Sequence, residues 1–213
     1  MPFVETERQA LAASFRATDP EAPTLCRGWQ ARHLLAHLVQ REHDLVSGVG
    51  DLVVRREPGQ EKFLGRLADR ARSPQGYEAL VERFLGGPPR WSPMSWAGEN
   101  INLVEYVIHH EDLRRGRGPV TPRAVPEDEA RSIWAKLGLF GRLGFRQSPV
   151  GVTLARPEGQ QQTVKQGAPG VTVTGEPVEL ALYASGRRDA ADVTITGAPE
   201  ALSRFESWAA AQS

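Results

Sequence analysis

The chain has 213 residues, of which 40% are hydrophobic and 24% are charged, as is typical of globular proteins. This length predicts one large domain or two modest ones, and we favour two. The 26 basic residues equal the 26 acidic ones, so the overall charge does not favour binding to nucleic acid or to an anionic membrane. Any ligand is therefore expected to be recognised by a local group of residues.

The cysteine content and the N-terminal segment both indicate a cytoplasmic protein. Cys26 is the one cysteine in the sequence, so an internal disulfide is excluded. The N-terminal segment lacks the basic flank and the apolar run of a secretory signal. No apolar run reaches the roughly 18 to 20 residues that cross a bilayer, and we expect a soluble protein without a membrane partner.

The first part of the chain predicts helices separated by turn-rich loops. Residues 4–16 consist largely of good helix formers. A long second helix is predicted over residues 30–54, because Leu34, Leu38 and Leu45 recur there at helical spacing.

A third helical region covers residues 61–86 and is interrupted near Pro74. The loop after it is rich in proline and glycine and contains Trp91 and Trp96. Because indole rings are costly to leave in water, we expect both to fasten this loop to the core. A lid over a ligand is the alternative interpretation.

Two further helices are predicted over residues 101–115 and 126–140. After about Phe145 the pattern changes to period-two segments separated by glycine and proline, which indicates strands. The sequence thus predicts a mainly α protein with a C-terminal α+β domain. The predicted domains are a helical bundle over residues 1–146 and a small sheet-and-helix domain over residues 147–213.

The helix over residues 101–115 contains two polar residues that can share one ion. Glu105 and His109 are four residues apart, which places both side chains on one helix face. Asp112 falls within about 60° of His109, whereas His110 is turned about 100° away. Because most of the helix is apolar, an ionised Glu105 needs a salt bridge or a bound cation, and it must otherwise be protonated.

The predicted second helix supplies a third ligand. His37 lies at the edge of its apolar face, and Asp44 is nearly aligned with it. We predict that His37, Glu105 and His109 hold one divalent cation, because two imidazoles and one carboxylate match catalytic zinc sites with an open fourth position. Zinc is the expected ion, although iron, nickel or manganese can also bind such a set. Asp44 and Asp112 are expected to support the ligands or to lie on the helix surface.

The same spacing has a simpler interpretation, in which the polar residues bind no metal. A glutamate and a histidine four residues apart are common by chance, and a histidine beside leucines is usually a hydrogen-bonded core residue. His33, His43 and Cys26 are expected to lie at the surface without a functional role.

Two segments resemble motifs of the DinB-like superfamily, in particular the mycothiol-dependent maleylpyruvate isomerase N-terminal domain. The first segment is CRGWQARHLLAHLV, which resembles the GW…R.LLAHL signature, and the second is EYVIHHEDL, which resembles the ExxxHxxDL element. The resemblance covers about residues 3–146. It implies a four-helix bundle that binds zinc through His37, Glu105 and His109. In detail, the segments QREHDL and NLVEYVIHHEDLRR look closest to an actinobacterial branch of metal-binding proteins without an assigned reaction.

The C-terminal segment is similar to the smaller second domain of the same family. Its glycine-arginine pair aligns Arg187 with an arginine of that domain. The resemblance implies that Arg187 has a catalytic and cofactor-binding role, in which its guanidinium receives an anionic thiol cofactor or substrate. The alternative is that Arg187 or Arg188 contacts the end of its own helix.

The resemblance also implies chemistry with a low-molecular-weight thiol such as mycothiol. Metal coordination lowers the pKa of a thiol, and the thiolate can add to a small electrophilic or unsaturated acid. Elimination after bond rotation would give an isomer, and loss of a leaving group would give S-transfer. The expected function is a zinc- and thiol-dependent isomerase or S-transferase, and the alternative is a non-catalytic protein that binds metal and a ligand. The oligomeric state stays open.

Overall fold

The computed structural model describes residues 2–44, 61–92, 95 and 99–212. The chain forms two compact units, Met1–Val120 and Thr121–Ser213. Residues 45–54 of the predicted second helix and Trp96 lie outside the described residues. In the part of the chain that is described, no helix has the length and apolar character needed to cross a membrane.

The first unit is built of α-helices, as the sequence predicted. Its described helices are α1 (Pro2–Arg16), α2 (Ala31–His43), α3 (Lys62–Arg70), α4 (Pro74–Leu85) and α5 (Glu99–Arg115). Helix α1 packs against α4 and α5, and helix α2 packs against α3, α4 and α5. Helices α1, α2, α4 and α5 therefore form the expected four-helix bundle.

The predicted interruption of the third helical region separates α3 from α4. Pro74 occupies the first turn of α4, where a missing N–H costs no helical hydrogen bond. The Ser73 hydroxyl oxygen caps this helix by accepting a hydrogen bond from the Gly76 N–H at 3.1 Å. A Cβ at Gly76 would lie 1.9 Å from the Arg70 carbonyl oxygen, so the tight turn excludes a side chain there.

The core of the first unit lies between the four bundle helices. Leu34 and Leu38, which the sequence placed on the apolar face of α2, are fully buried. They belong to a cluster with Phe15 of α1 and Phe84 of α4. Burying each such side chain contributes roughly 1.5–3 kcal/mol to folding.

In the described part of the loop after α4, Ser92 rather than Trp91 is held to the bundle. Ser92 is buried, and its hydroxyl donates a hydrogen bond to the Glu42 carbonyl oxygen at 2.7 Å. Trp91 is 69% exposed, so the expectation that it fastens the loop to the core was wrong. A hydrogen bond between residues 50 positions apart thus holds this part of the loop to α2.

The second unit combines α-helices with a four-stranded sheet, as predicted for the C-terminal part. The helices are α6 (Glu127–Gly144), α7 (Pro177–Ala184) and α8 (Pro199–Ala210), and the strands are β1 (Gly151–Ala155), β2 (Gln161–Lys165), β3 (Gly170–Thr174) and β4 (Thr194–Gly197). The strand order is β2-β1-β3-β4. Strand β1 is parallel to β3, and the two outer pairs are antiparallel.

Helix α6 belongs to the second compact unit, because the chain divides between Val120 and Thr121. The domains of residues 1–146 and 147–213 stay a prediction. Helix α6 packs against β2 and α7. A Cβ at Gly144 would lie 2.0 Å from the Ala184 carbonyl oxygen, so glycine lets the end of α6 approach α7 closely. A helical pattern shows that a helix forms and leaves open which domain it packs on.

Candidate metal centre

His37, Glu105 and His109 come together where α2 and α5 face each other. One ligand atom from each residue, either an imidazole nitrogen or a carboxylate oxygen, lies within 4.8 Å of the other two. The centroids of the two imidazole rings are 5.3 Å apart, and the ring planes are inclined at 74°. Two helices that are distant in sequence thus bring together the three predicted ligands.

The start of α2 helps to fix the position of His37. Gly28 turns the preceding segment with a φ of 77°, a left-handed conformation that favours glycine. The Gln30 N–H then donates to His33 Nδ1 at 3.2 Å, which caps the helix. His33 is therefore buried, and the expectation that it lies at the surface was wrong. Trp29 of the same turn packs against the His37 ring at a centroid distance of 5.1 Å.

The separation of Glu105 from His109 matches that of two ligands of one cation. Glu105 Oε2 lies 3.5 Å from His109 Nε2. This distance exceeds the range of about 2.7–3.2 Å for an N–H···O hydrogen bond. Two ligand atoms bound to one tetrahedral zinc at about 2.0–2.2 Å lie about 3.3–3.6 Å from each other. The donor types and this spacing therefore fit a zinc-like cation.

Glu105 presents an ionised carboxylate to the two histidines. Burial by itself raises the pKa of Glu105, but the close contact and charge of His109, with the charges of Arg41 and His37, lower this pKa to about 2. The Glu105 side chain is 27% exposed, whereas every other residue from 102 to 113 is buried. The Glu105 carboxylate is thus partly accessible to solvent, although the neighbouring side chains of α5 are buried.

Asp112 orients the His109 ring by contacting the nitrogen that points away from the centre. Its Nδ1 lies 2.9 Å from Asp112 Oδ2, while its Nε2 faces Glu105. Burial by itself lowers the pKa of His109, but hydrogen bonds to Asp112 and Cys26 and the close contact with Glu105 raise this pKa well above its ordinary value. A cation at this centre would replace the proton on Nε2, while the proton on Nδ1 stays in the hydrogen bond to Asp112.

Cys26 is a second hydrogen-bond partner of Asp112. Its Sγ donates to Asp112 Oδ2 at 3.1 Å, and the thiol is half-buried. Cys26, His109 and Asp112 also form a second group whose possible ligand atoms lie within 4.8 Å of one another. Because Asp112 Oδ2 already contacts both other members, we interpret this group as a support that orients His109.

The other predicted polar residues of α2 and α5 lie away from this centre. His110 contacts Glu7 Oε1 at 2.8 Å and Ser14 Oγ at 2.7 Å, so it faces α1, as its angle on the helix indicated. Asp44 follows the last residue of α2 and belongs to neither group of possible ligands. His43 contacts the Arg83 carbonyl oxygen at 3.2 Å.

Arg187 lies in the second unit, just after α7. Its Nη1 donates to the Ser185 carbonyl oxygen at 2.8 Å. This is the contact with the end of its own helix that the sequence left open as an alternative. A role of Arg187 toward a thiol or a substrate stays a prediction.

Sequence reasoning missed Arg41 and Asn102, which lie beside the centre. Arg41 Nε is 3.9 Å from Glu105 Oε2, and Arg41 Nη1 donates to Asn102 Oδ1 at 2.9 Å. Arg41 follows His37 by four residues, and this spacing on one helix face could have pointed to it. Asn102 precedes Glu105 by three residues, so the same kind of spacing on α5 could have pointed to it.

Residues 4–114 match a protein-family model described as the mycothiol maleylpyruvate isomerase N-terminal domain. The chain belongs to this family. The match contains His37, Glu105 and His109, so all the residues of the candidate centre lie within the mycothiol maleylpyruvate isomerase N-terminal domain.

Two solved structures resemble the chain over most of its length. The structure of the mycothiol-dependent maleylpyruvate isomerase is 18% identical, with a TM-score of 0.58, and the match covers 91% of this chain and 90% of that one. An alanine mutant of that isomerase is 17% identical, with a TM-score of 0.57 and 90% coverage of both chains. At this identity the likeness supports the fold, namely a helical bundle followed by a small sheet domain. No curated protein matches this chain in sequence.

Proposed function

We propose that the chain is a metal- and thiol-dependent isomerase of small unsaturated acids, with zinc as the expected ion and mycothiol as the expected thiol. The observation that carries the proposal is the convergence of His37, Glu105 and His109 to within 4.8 Å, inside the segment that matches the family. S-transfer to a small electrophile is the related reaction, in which the thiol stays on the product.

Each residue of the centre has a distinct task in this proposal. His37, Glu105 and His109 would hold the cation, which when bound lowers the pKa of a thiol so that the thiolate forms near neutral pH. Asp112 keeps the Nδ1 proton of His109 in place, so that Nε2 faces the centre. Trp29 packs on the His37 ring and restricts its rotation.

The residues of the centre differ in solvent exposure, which supports a catalytic site with an open coordination position rather than a structural zinc site. His109 and Asp112 are buried, whereas His37 and Glu105 are half-buried. A small molecule can therefore approach from the side of His37 and Glu105, while the other side stays closed to water. Structural zinc sites, by contrast, take all four ligands from the protein.

The test is isomerisation of maleylpyruvate by the zinc-loaded protein in the presence of mycothiol. Proton NMR distinguishes the cis and trans vinyl protons, so the conversion can be followed directly. We expect conversion that requires both zinc and thiol, and a loss of at least about 100-fold in rate for His37→Ala, because the ligand set is broken. His43→Ala, on the same helix but in contact with Arg83, should keep the rate of the wild-type protein.

Two outcomes would decide against the proposal. Zinc-loaded protein that isomerises neither maleylpyruvate nor other small unsaturated acids with any added thiol would favour a non-catalytic binding protein. Equal rates for His37→Ala and the wild-type protein would remove the metal-ligand role of His37.

A further inference from the structure

Arg41 is fixed at the accessible side of the centre by contacts with α5. It follows His37 by one helical turn on α2, and its Nε lies 3.9 Å from Glu105 Oε2. Its Nη1 donates to Asn102 Oδ1 at 2.9 Å, and Asn102 is itself buried. The Arg41 side chain is 15% exposed, so the guanidinium is neither in bulk solvent nor closed off.

The contacts of Arg41 leave much of its donor capacity for a ligand. A guanidinium has five N–H donors in a planar fork. Among the residues that the structure describes, the hydrogen bond of this guanidinium goes to Asn102, and the 3.9 Å separation from Glu105 is too long for another. Arg8 in the same bundle shows the opposite case, because its Nη1 and Nη2 donate to Glu42, the Phe84 carbonyl oxygen and Tyr106.

The charge balance of the centre favours an anion beside Arg41. Before a thiol binds, a divalent cation on two neutral imidazoles would be offset by the carboxylates of Glu105 and Asp112, and Arg41 would then add a positive charge next to it. Excess positive charge in a partly buried site is stabilised by an anionic ligand. A planar guanidinium suits a carboxylate better than a single-atom anion, since two parallel N–H···O bonds can form.

We propose that Arg41 is a substrate-binding residue that receives the carboxylate of a small unsaturated acid next to the cation. This inference rests on the proposed function and assigns the residue that binds the substrate carboxylate. The carboxylate would orient the adjacent carbon-carbon double bond beside the position where the thiol binds. Neutral electrophiles of the same size would lose this contact and bind more weakly.

The experiment measures binding of maleate to zinc-loaded protein by titration calorimetry without a thiol, so that no turnover occurs. Arg41→Gln is compared with Arg41→Lys and with Arg16→Gln, which removes an exposed arginine on α1 that pairs with Glu78 and Glu82. Zinc content by elemental analysis and helicity by circular dichroism are measured for every protein. We expect full zinc in all of them and maleate binding weakened about 10- to 100-fold in Arg41→Gln, an effect typical of losing a charge-assisted hydrogen-bond pair.

Arg41→Lys should weaken maleate binding less than Arg41→Gln, and Arg16→Gln should leave it unchanged. Equal maleate affinity in zinc-loaded Arg41→Gln and in the wild-type protein would overturn the role of Arg41 and leave the metal proposal standing. Loss of zinc from folded Arg41→Gln would also overturn it, because Arg41 would then act by positioning Glu105. Wild-type protein that takes up no zinc would overturn the proposed function and this inference with it.

Discussion

Helices α2 and α5 share two polar clusters that differ in how their charges are satisfied. In the first, Arg8 from α1 donates to both carboxylate oxygens of Glu42 at 3.0 and 2.8 Å, and Tyr106 also contacts Glu42. The side chains of Arg8 and Glu42 are 4% and 0% exposed. In the second, Glu105 and His37 are half-buried and face His109 across distances that suit a cation.

The difference shows what separates a structural cluster from a binding site. The cluster around Arg8 balances donors and acceptors with groups of the protein itself, so it needs nothing from outside. The candidate centre directs lone pairs of two imidazoles and a carboxylate to one place, and a cation is what such an arrangement attracts. Removing a residue should therefore reduce stability in the first cluster and metal affinity in the second.

The largest effect is expected for Glu42→Gln, which leaves the buried Arg8 cation without its counter-charge. We expect a loss of about 3–5 kcal/mol in the free energy of unfolding, measured by urea denaturation of zinc-free protein. Zinc affinity of the folded protein should change by less than about threefold, because Glu42 lies outside the candidate ligands.

Glu78→Gln is the matched control, since Glu78 pairs with Arg16 at the surface, where the two side chains are 49% and 40% exposed. Its free energy of unfolding should stay close to that of the wild-type protein, because water screens an exposed ion pair. Equal losses for Glu42→Gln and Glu78→Gln would mean that the buried cluster does not have the structural role described here.

A smaller effect, on metal affinity, is expected for Asp112→Asn. The amide can still accept the His109 Nδ1 proton, but it lacks the charge that supports the imidazole as a ligand. We expect zinc affinity to fall about 10- to 100-fold, measured by competition with a fluorescent zinc chelator. Asp69→Asn, at a side chain that is 67% exposed, should leave the affinity unchanged. Unchanged affinity in Asp112→Asn would place the metal elsewhere.

The smallest effect is expected for Cys26→Ser. A thiol is a weak hydrogen-bond donor, and its 3.1 Å contact with Asp112 should contribute little to zinc affinity, less than about threefold. The same chelator competition measures it. A loss as large as that of Asp112→Asn would instead indicate that the metal binds to the group of Cys26, His109 and Asp112.

The parts of the site that could be predicted from sequence are those set by helix geometry. Spacing placed Glu105 and His109 on one face and turned His110 away, and His110 indeed faces Glu7 on α1. Helix periodicity also predicted the helices and the burial of Leu34 and Leu38, whereas the four-helix bundle was implied by the family resemblance.

What could not be predicted depends on packing between distant segments. The pairing of Arg8 with Glu42 joins residues 34 positions apart, and no local pattern indicates it. The contact of Arg41 with Asn102 spans 61 positions, for the same reason. Helix α6 was correctly predicted as a helix, but its attachment to the sheet depends on its contacts with β2 and α7.

The most direct test of the candidate centre is calorimetric titration of zinc into metal-free protein, with His37→Ala and His43→Ala as a matched pair on α2. We predict one zinc per chain in the wild-type protein and in His43→Ala, and no measurable binding in folded His37→Ala. One zinc bound with equal affinity in all three proteins would contradict the assignment of His37, Glu105 and His109 as the ligands.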